Sequence, residues 1–250
     1  GANTLTLSGG GTLSNANAFV LNNANSKLFL NSITLASAST SADSLGLDVD
    51  ENSTVSSLSV GNITPLLIAQ GKILSGGITV SAGKIQLPEA GTLASNISMS
   101  RGTILDADES MTISGSVTDL GNFNDDQGWT IIIAEGKTVN YTGQSIAVNG
   151  HKLILKSDSD NVGATFNNTN PILLNNANSY LRFDSEMTVG SVSSTVASNG
   201  GRGLLIDESS TITQLSVTVD TEVSIDSGKT LSGAVTIASG SVKLDKTGTL

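Results

Sequence analysis

The sequence predicts an all-β protein, a parallel β-solenoid in which three short strands form each coil of about 19–20 residues. Short runs of Val, Ile, Leu and Thr alternate apolar with polar residues, and Gly or Ser-Gly separates the runs, which is the pattern of strands and turns. Residues 71–93 return as residues 228–250, and no helical stretch separates the runs. A fixed repeat of this kind is typical of solenoids.

Apolar residues recur in three columns that advance together along the chain. Val55, Leu74, Leu93 and Ile113 follow one another at intervals that are equal to within one position. A solenoid needs such matches because each side chain lies on its counterpart in the next coil, whereas a sandwich does not. At ~3.3 Å per residue and ~4.8 Å between strands, the chain makes about 13 coils in a rod roughly 60 Å long. The other columns are Leu58, Ile78, Ile97 and Val117; Leu66, Ile85 and Ile104; and later Ile212, Leu231 and Leu250, then Leu215 and Val235, then Leu204, Val223 and Val242.

A longer repeat overlies the short one. Residues 47–93 and 204–250 match at 21 of 47 positions without a gap. The sequence therefore divides into a first super-repeat, residues 1–150, and a second, partial one, residues 151–250, continuous in one rod. We expect the chain to be a slice of a longer array, or a rod whose open ends are covered by another molecule.

The elements follow this plan in order. Residues 1–46 form irregular coils, and the Ser/Ala/Thr run at 36–44 is expected to be a loop on a turn. Residues 47–120 form the regular coils. A protruding loop is predicted at 122–129, because the step from Ile113 to Val139 is too long for one coil. Strands resume at 129–133 and 152–155, and the second super-repeat follows.

The composition limits the partners. The net charge is −10 and no basic run occurs, which argues against nucleic acid and anionic membranes. No stretch of eighteen apolar residues is present, so no membrane insertion by this segment is expected. The array begins at Gly1, so we expect any targeting segment to have been removed or to lie outside this chain.

Acidic residues are the first candidates for chemistry. The element Asp-Glu-x-x-Thr begins at Asp50, Asp108 and Asp207. A calcium loop that started at Asp48 would need Gly at its sixth position and Glu at its twelfth, and both positions hold Ser. We predict turn acids that accept backbone N–H bonds, with adventitious calcium as the alternative. No metal site and no cofactor are predicted.

The basic residues point to no catalytic site. Gly-Lys occurs at Lys72 and Lys229 without the rest of a phosphate loop. His151 is the only histidine, and a surface or turn role is predicted for it. Arg182 is not near an acid pair in the sequence, and the other arginines are scattered. The chain is therefore predicted not to be an enzyme.

The predicted loop offers the best contact site. Trp129 lies beside Asn122, Asp125 and Asp126, and a tryptophan next to amides and acids can stack on a sugar ring. The alternative is that Trp129 packs over the core where the register slips.

Threonine and serine flank the first apolar column and are expected to point outward. A Thr ladder of this kind is how several ice-binding proteins present their surface, whereas Thr is also a good strand residue. Ile73 and Ala94 interrupt the pattern. The flanking residues are Thr54, Ser56, Ser75, Thr92, Thr112, Ser114, Thr211, Thr213, Thr230 and Ser232.

Residues 74–87, LSGGITVSAGKIQL, and residues 231–244 resemble the autotransporter-associated β-strand repeat, whose units read like SGGTTVSAGTLQL. Residues 1–10 are similar to another piece of the pattern. The close match covers about 40 residues. The resemblance implies the passenger region of a bacterial surface protein, with a β-solenoid stalk and often an adhesive role. It carries over no catalytic residue.

These observations together predict a non-catalytic stalk or adhesin segment, located outside the cell or at the bacterial surface. Expected partners are adjoining repeats or other copies end to end, and surface glycans or host and neighbouring cells. The alternative is a subunit that polymerises end to end into a filament. Ice or glycan binding is a further alternative.

Overall fold

The computed structural model describes residues 3–121, 128–159, 163–198, 202–244 and 247–250, and it confirms a parallel β-solenoid. The described residues contain strands and turns but no helix. In chain order the strands are β1 (Asn3–Ser8), β2 (Thr12–Leu13), β3 (Phe19–Leu21), β4 (Ser26–Asn31), β5 (Thr34–Thr40), β6 (Gly46–Val49), β7 (Ser53–Val60), β8 (Thr64–Ile68), β9 (Ile73–Val80), β10 (Lys84–Leu87), β11 (Thr92–Leu93), β12 (Asn96–Met99), β13 (Ile104–Ala107), β14 (Met111–Ile113), β15 (Val117–Asp119), β16 (Trp129–Ile133), β17 (Thr138–Tyr141), β18 (Ile146–Ala147), β19 (Lys152–Ser157), β20 (Ala164–Asn168), β21 (Ile172–Leu174), β22 (Tyr180–Phe183), β23 (Met187–Ser194), β24 (Gly203–Ile206), β25 (Ser210–Val217), β26 (Thr221–Ile225), β27 (Leu231–Ile237) and β28 (Val242–Leu244).

The strands form three faces. Face 1 is a stack of twelve parallel strands, β1-β4-β6-β8-β10-β13-β16-β19-β22-β24-β26-β28, one from each coil. The other sixteen described strands form faces 2 and 3. In each coil face 2 follows face 1 along the chain and contains strands such as β11, and face 3 follows face 2 and contains strands such as β12. In some coils one long strand such as β9 crosses the corner between these faces, and in others two short strands such as β11 and β12 occupy them separately. Three strand segments per coil were predicted correctly.

The rod has fewer turns than the spacing predicted. Twelve stacked strands on face 1 make about 11 turns rather than about 13, and at ~4.8 Å per turn the rod is ~53 Å long. The difference arises in the middle of the chain, where coils are longer. Leu105 pairs with Ile131, 26 residues later, and Leu155 pairs with Phe183, 28 residues later. A regular coil has 19–20 residues.

The second apolar column is confirmed at every step. Leu58 pairs with Ile78, Ile78 with Ile97, and Ile97 with Val117. All four side chains are buried. This column was predicted correctly because the coils between Leu58 and Val117 keep a constant length, to within one position.

The first column is confirmed except at its start. Leu74 pairs with Leu93 and Leu93 with Ile113, but Leu74 lies opposite Ser53 rather than Val55. A β-bulge accounts for one residue of this shift, since two residues of β7 lie between Val55 and Leu58 where β9 has only Gly77. Two steps of the later columns repeat this shift of two residues, because Leu231 lies opposite Ser210 rather than Ile212, and Val242 opposite Thr221 rather than Val223. The later pairs Leu215 with Val235 and Leu204 with Val223 are confirmed.

The third column was wrong. Ile85 lies between Thr64 and Leu105, and not between Leu66 and Ile104. Ile104 and Leu105 are adjacent apolar residues, so the pattern alone could not tell which of them faces inward. A slip by one residue turns every side chain of a strand to the other face. Leu105 is buried in the core, whereas Ile104 is half-buried on the outer side.

The loop predicted at 36–44 was also wrong in its first half, because β5 continues through Thr40. Leu35, Ala38 and Thr40 of this strand are buried, so small side chains serve as inward residues here. An apolar–polar pattern built on Leu, Ile and Val therefore misses the strand.

The charged residues of the described strands lie almost entirely on face 1. Among the sixteen described strands of faces 2 and 3, Asp119 is the single charged residue, and its side chain is buried. The described strands of face 1 carry nine charged residues, and the corners carry most of the others. Faces 2 and 3 therefore present hydroxyls, amides and backbone, while ion pairs belong to face 1 and the corners.

Candidate functional site

A depression with a volume of about 420 Å³ lies on face 1. Three residues from successive coils lie side by side in its floor, because Asp106 on β13 pairs with Ile132 on β16, which pairs with Lys156 on β19. Asp108 and Asp158 follow the ends of β13 and β19 and line the same depression. Parallel stacking thus gathers carboxylates that are more than two coils apart along the chain.

The carboxylates of this depression are held by fixed neighbours. Lys84 Nζ lies 2.6 Å from Asp106 Oδ2, and Gln86 Nε2 donates to Asp108 Oδ2 at 2.9 Å. Burial raises the pKa of Asp108, which the hydrogen bond from Gln86 partly offsets. The raised pKa shows that the protein disfavours the ionised form of this carboxyl. These contacts join side chains of successive coils on face 1, and we call the series of such contacts the ion-pair ladder.

Arginine joins the same ladder, contrary to the expectation that the arginines are scattered. Arg182 Nε lies 2.5 Å from Asp184 Oδ1 and donates to Asp207 Oδ2 at 2.7 Å. Burial raises the pKa of Asp184, and the charge of Arg182 opposes that rise. The guanidinium of Arg202 stacks 4.9 Å from the Tyr180 ring centroid, which places a further cation at the edge of face 1.

The arrangement can bind cationic or hydroxyl groups through its carboxylates. Within the described ranges no group of three or more His, Cys, Asp or Glu side chains has metal-site geometry.

The Asp-Glu elements form a lock between coils that the sequence did not predict. Lys72 Nζ lies 2.6 Å from Glu51 Oε2, and Lys137 Nζ lies 2.6 Å from Glu109 Oε2. Lys229 and Glu208 form the third pair. Each lysine follows a glycine of positive φ, so that Asp-Glu in one coil meets Gly-Lys in the next. The recurrence of Gly-Lys one coil after Asp-Glu was the signal that could have revealed the lock.

The prediction that turn acids accept backbone N–H bonds is confirmed at Asp158, whose Oδ1 accepts from the Glu135 N–H at 2.7 Å. In the three Asp-Glu elements the residue after each Glu is the acceptor instead. Asn52 Oδ1 accepts from the Ile73 N–H at 3.0 Å, and Ser110 Oγ accepts from the Thr138 N–H at 3.0 Å. Ser209 Oγ does the same for Thr230. The lock therefore combines an ion pair with a side chain–backbone hydrogen bond.

His151 lies at a turn, as one of the two predicted roles has it, since its N–H donates to Val148 O at 3.0 Å, but it does not lie on the surface. It is buried, and its Nδ1 lies 2.6 Å from Oδ2 of Asp119, whose side chain is fully buried. The other oxygen of Asp119 accepts from the Gly121 N–H at 2.7 Å. Asp119 and His151 lie in different coils, so sequence proximity could not pair them. Burial makes this contact a structural element of the coil joint.

The predicted ligand-contact residues are not brought together on the described surface. Trp129 begins β16 with its side chain fully buried, so its ring belongs to the core, as the alternative supposed. Its indole N–H has no hydrogen-bond partner among the described residues. Asn122, Asp125 and Asp126 lie outside the described residues. Ligand contact by those three residues stays a prediction.

The outward threonines of face 2 lie in register over more coils than the sequence suggested. Thr165 pairs with Thr138 and with Thr188, and Thr188 pairs with Thr211. Thr54 bonds to Ser75 through their hydroxyls, which are 2.7 Å apart. Such bonds occupy hydroxyls within the protein. Ice binding stays a prediction.

Both ends of the described rod expose apolar residues that would be interior in a longer stack. Leu5 in the first coil is 43% exposed, and Ile237 and Leu244 in the last coil are 51% and 47% exposed. Their counterparts one super-repeat earlier, Val80 and Leu87, are fully buried by the next coil. Among the described residues, no further coil covers these side chains.

No protein family, curated protein or solved structure matches this chain. Among the described residues no helix is long and apolar enough to cross a membrane.

Proposed function

We propose that the chain is a non-catalytic stalk or adhesin segment of a repetitive bacterial surface protein, and that it works outside the cell. Its role is to extend and to display what it is joined to. The partners in this role are adjoining repeats, end to end, and the glycans or cells that the stalk reaches. The observation that carries the proposal is the unbroken stacking of strands through about 11 turns.

Two features support a load-bearing role. Every coil in the interior of the stack hydrogen-bonds to two neighbours, so tension along the rod is shared by many backbone bonds. The Glu–Lys locks add contacts at one corner, and the buried Asp119–His151 pair adds one at another. The resemblance of residues 74–87 to a surface-protein repeat supports the location.

Single-molecule pulling tests the mechanical part of this proposal. The chain has no cysteine, so one cysteine added at each terminus gives unique attachment points. We expect the rod to stay folded under loads that stretch a Gly/Ser chain of equal length, which behaves as a random coil. It should then lengthen in steps, since one coil of about 20 residues releases ~70 Å. Smooth stretching without steps would contradict the proposal.

A further inference from the structure

A continuous column of hydroxyl residues runs along face 2 in the second half of the rod. Each member pairs with its counterpart in the next coil, and each threonine points outward because the residue that follows it in the strand is buried. We call this column the threonine ladder. Its members are Thr138, Thr165, Thr188, Thr211 and Ser232.

The hydroxyls of the threonine ladder are available to a partner. In the first half of the rod the outward hydroxyls of Thr54 and Ser75 bond to each other at 2.7 Å. The four ladder threonines are partly exposed, and their hydroxyls bond to no other described residue. The second half is therefore where the outward threonine hydroxyls of face 2 meet the surroundings.

The threonine ladder is regular in two directions. Successive coils place its members ~4.8 Å apart along the rod, and the outward residue two positions later in each strand lies ~6.6 Å away. That second position holds Asn140, Asn167, Gly190 and Thr213, and the two asparagines fix each other through a bond of 2.9 Å. Threonine is branched at Cβ and has a restricted χ1 angle, so its hydroxyl and methyl groups keep their positions. The spacing along the rod is close to the repeat of hexagonal ice along its a axis, and the spacing across it is comparable with the repeat along the c axis.

The surroundings of the ladder favour ice over a charged or a sugar partner. The described strands of face 2 carry no charged residue, and Glu186 limits the neutral surface at the corner beside Thr188. The aromatic residues of the described strands of faces 2 and 3 pack in the core or against it, so these strands offer no ring that could stack on a sugar. A neutral array of hydroxyl and methyl groups at fixed spacing matches an ordered layer of water.

We propose that the threonine ladder binds the surface of ice crystals. The hydroxyls bond to water molecules of the lattice, and the methyl groups pack against the same layer. The five members span ~19 Å along the rod, so several lattice repeats are contacted at once. The inference depends on the fold and not on the stalk role.

The gap between the melting and freezing temperatures of a seeded solution of the 250-residue chain tests this proposal. We expect the protein to lower the freezing temperature below the melting temperature and to give faceted ice crystals. Thr188→Lys should abolish the gap, because it places a strongly hydrated ammonium group in the middle of the ladder. The matched control is Thr79→Lys at an exposed, outward position of face 3, which should keep the gap of the parent. Equal gaps for the two variants would overturn the proposal.

A second variant and a second ligand complete the test. Thr165→Lys, one coil before Thr188, should also abolish the gap, and circular dichroism should show that all three variants keep the fold, since exposed substitutions change stability little. Binding of the parent to insoluble cellulose that Thr188→Lys abolishes, without any gap between the two temperatures, would assign the ladder to a sugar polymer and would overturn the proposal. A parent without a gap at every concentration would also overturn it, and would leave the pulling experiment on the stalk role unaffected.

Discussion

Lys137 lies one coil after Glu109, and its Nζ atom is 2.6 Å from Glu109 Oε2 at the corner that leads into face 2. Beside this ion pair, Ser110 Oγ accepts from the Thr138 N–H at 3.0 Å. The same two contacts recur at Glu51 with Lys72 and at Glu208 with Lys229, each with its own neighbouring acceptor. The corner thus holds two kinds of contact whose contributions can be separated.

The hydrogen bond should contribute more to this corner than the ion pair does. The side chains of Lys137 and Glu109 are 36% and 44% exposed, so Glu109→Gln should lower the free energy of unfolding by ~0–1 kcal/mol. Ser110→Ala should lower it by about 0.5–1.5 kcal/mol and speed hydrogen exchange of the Thr138 amide. Urea unfolding and amide exchange measure these effects. A Glu109→Gln effect that persists at about 1 M salt would contradict the ranking, because salt screens exposed pairs.

Gly76 should be much less tolerant of substitution than Gly71, although both have positive φ. At Gly76 a Cβ atom would lie 1.9 Å from Val55 O, whereas at Gly71 nothing lies within 4 Å. Gly71→Ala should cost about 1–2 kcal/mol of unfolding free energy for its backbone conformation alone. Gly76→Ala adds a clash with the neighbouring coil and should cost several-fold more. Thermal unfolding of the two variants checks this, and equal melting temperatures would contradict it.

Stacking could be predicted from the sequence where coil length is constant. The Leu58 column was correct because each coil there adds nearly the same length of chain. Two predictions failed where coil length or register changes: the placement of Ile104 in the third column, and the number of coils. Bulges and long coils change the spacing without changing the alternation of apolar and polar residues, so the pattern still reads as strands while the register moves.

The contacts between distant residues could not be predicted in the same way. Asp119 and His151 belong to different coils, one of them enlarged, and no motif connects them. Trp129 follows a polar segment, and the sequence therefore predicted that it belongs to a loop. Its large apolar ring lies in the core instead. Glu109 and Lys137 were each recognised in short motifs, but only the coil path brings the two motifs together.

Asp119 should be essential to the joint that it forms. Asp119→Ala removes the acceptor of both the His151 ring N–H and the Gly121 N–H in a buried place. Loss of a buried hydrogen-bond partner costs about 1–3 kcal/mol, so we expect a total loss of about 2 kcal/mol or more in unfolding free energy. Asp50→Ala, at an exposed corner, is the control and should change it by less than about 0.5 kcal/mol. Similar losses in both variants would contradict the structural role.

Asp108→Asn should become more favourable as pH rises. Burial raises the pKa of Asp108 above its value in the unfolded chain, near ~3.9. A carboxyl whose pKa is raised in the folded protein contributes its full stabilisation at pH values below the unfolded pKa. This contribution is lost as pH rises through the folded pKa. Asparagine keeps an acceptor for Gln86 and does not titrate.

The difference in unfolding free energy, variant minus parent, should therefore increase between about pH 3 and pH 7. Urea unfolding of both proteins across this range measures it, and subtraction removes the titration of all other groups that the substitution leaves unchanged. Ser110→Ala changes no titratable group, so its difference from the parent should stay constant with pH. A difference for Asp108→Asn that is flat, or that falls as pH rises, would show that burial does not govern this carboxyl.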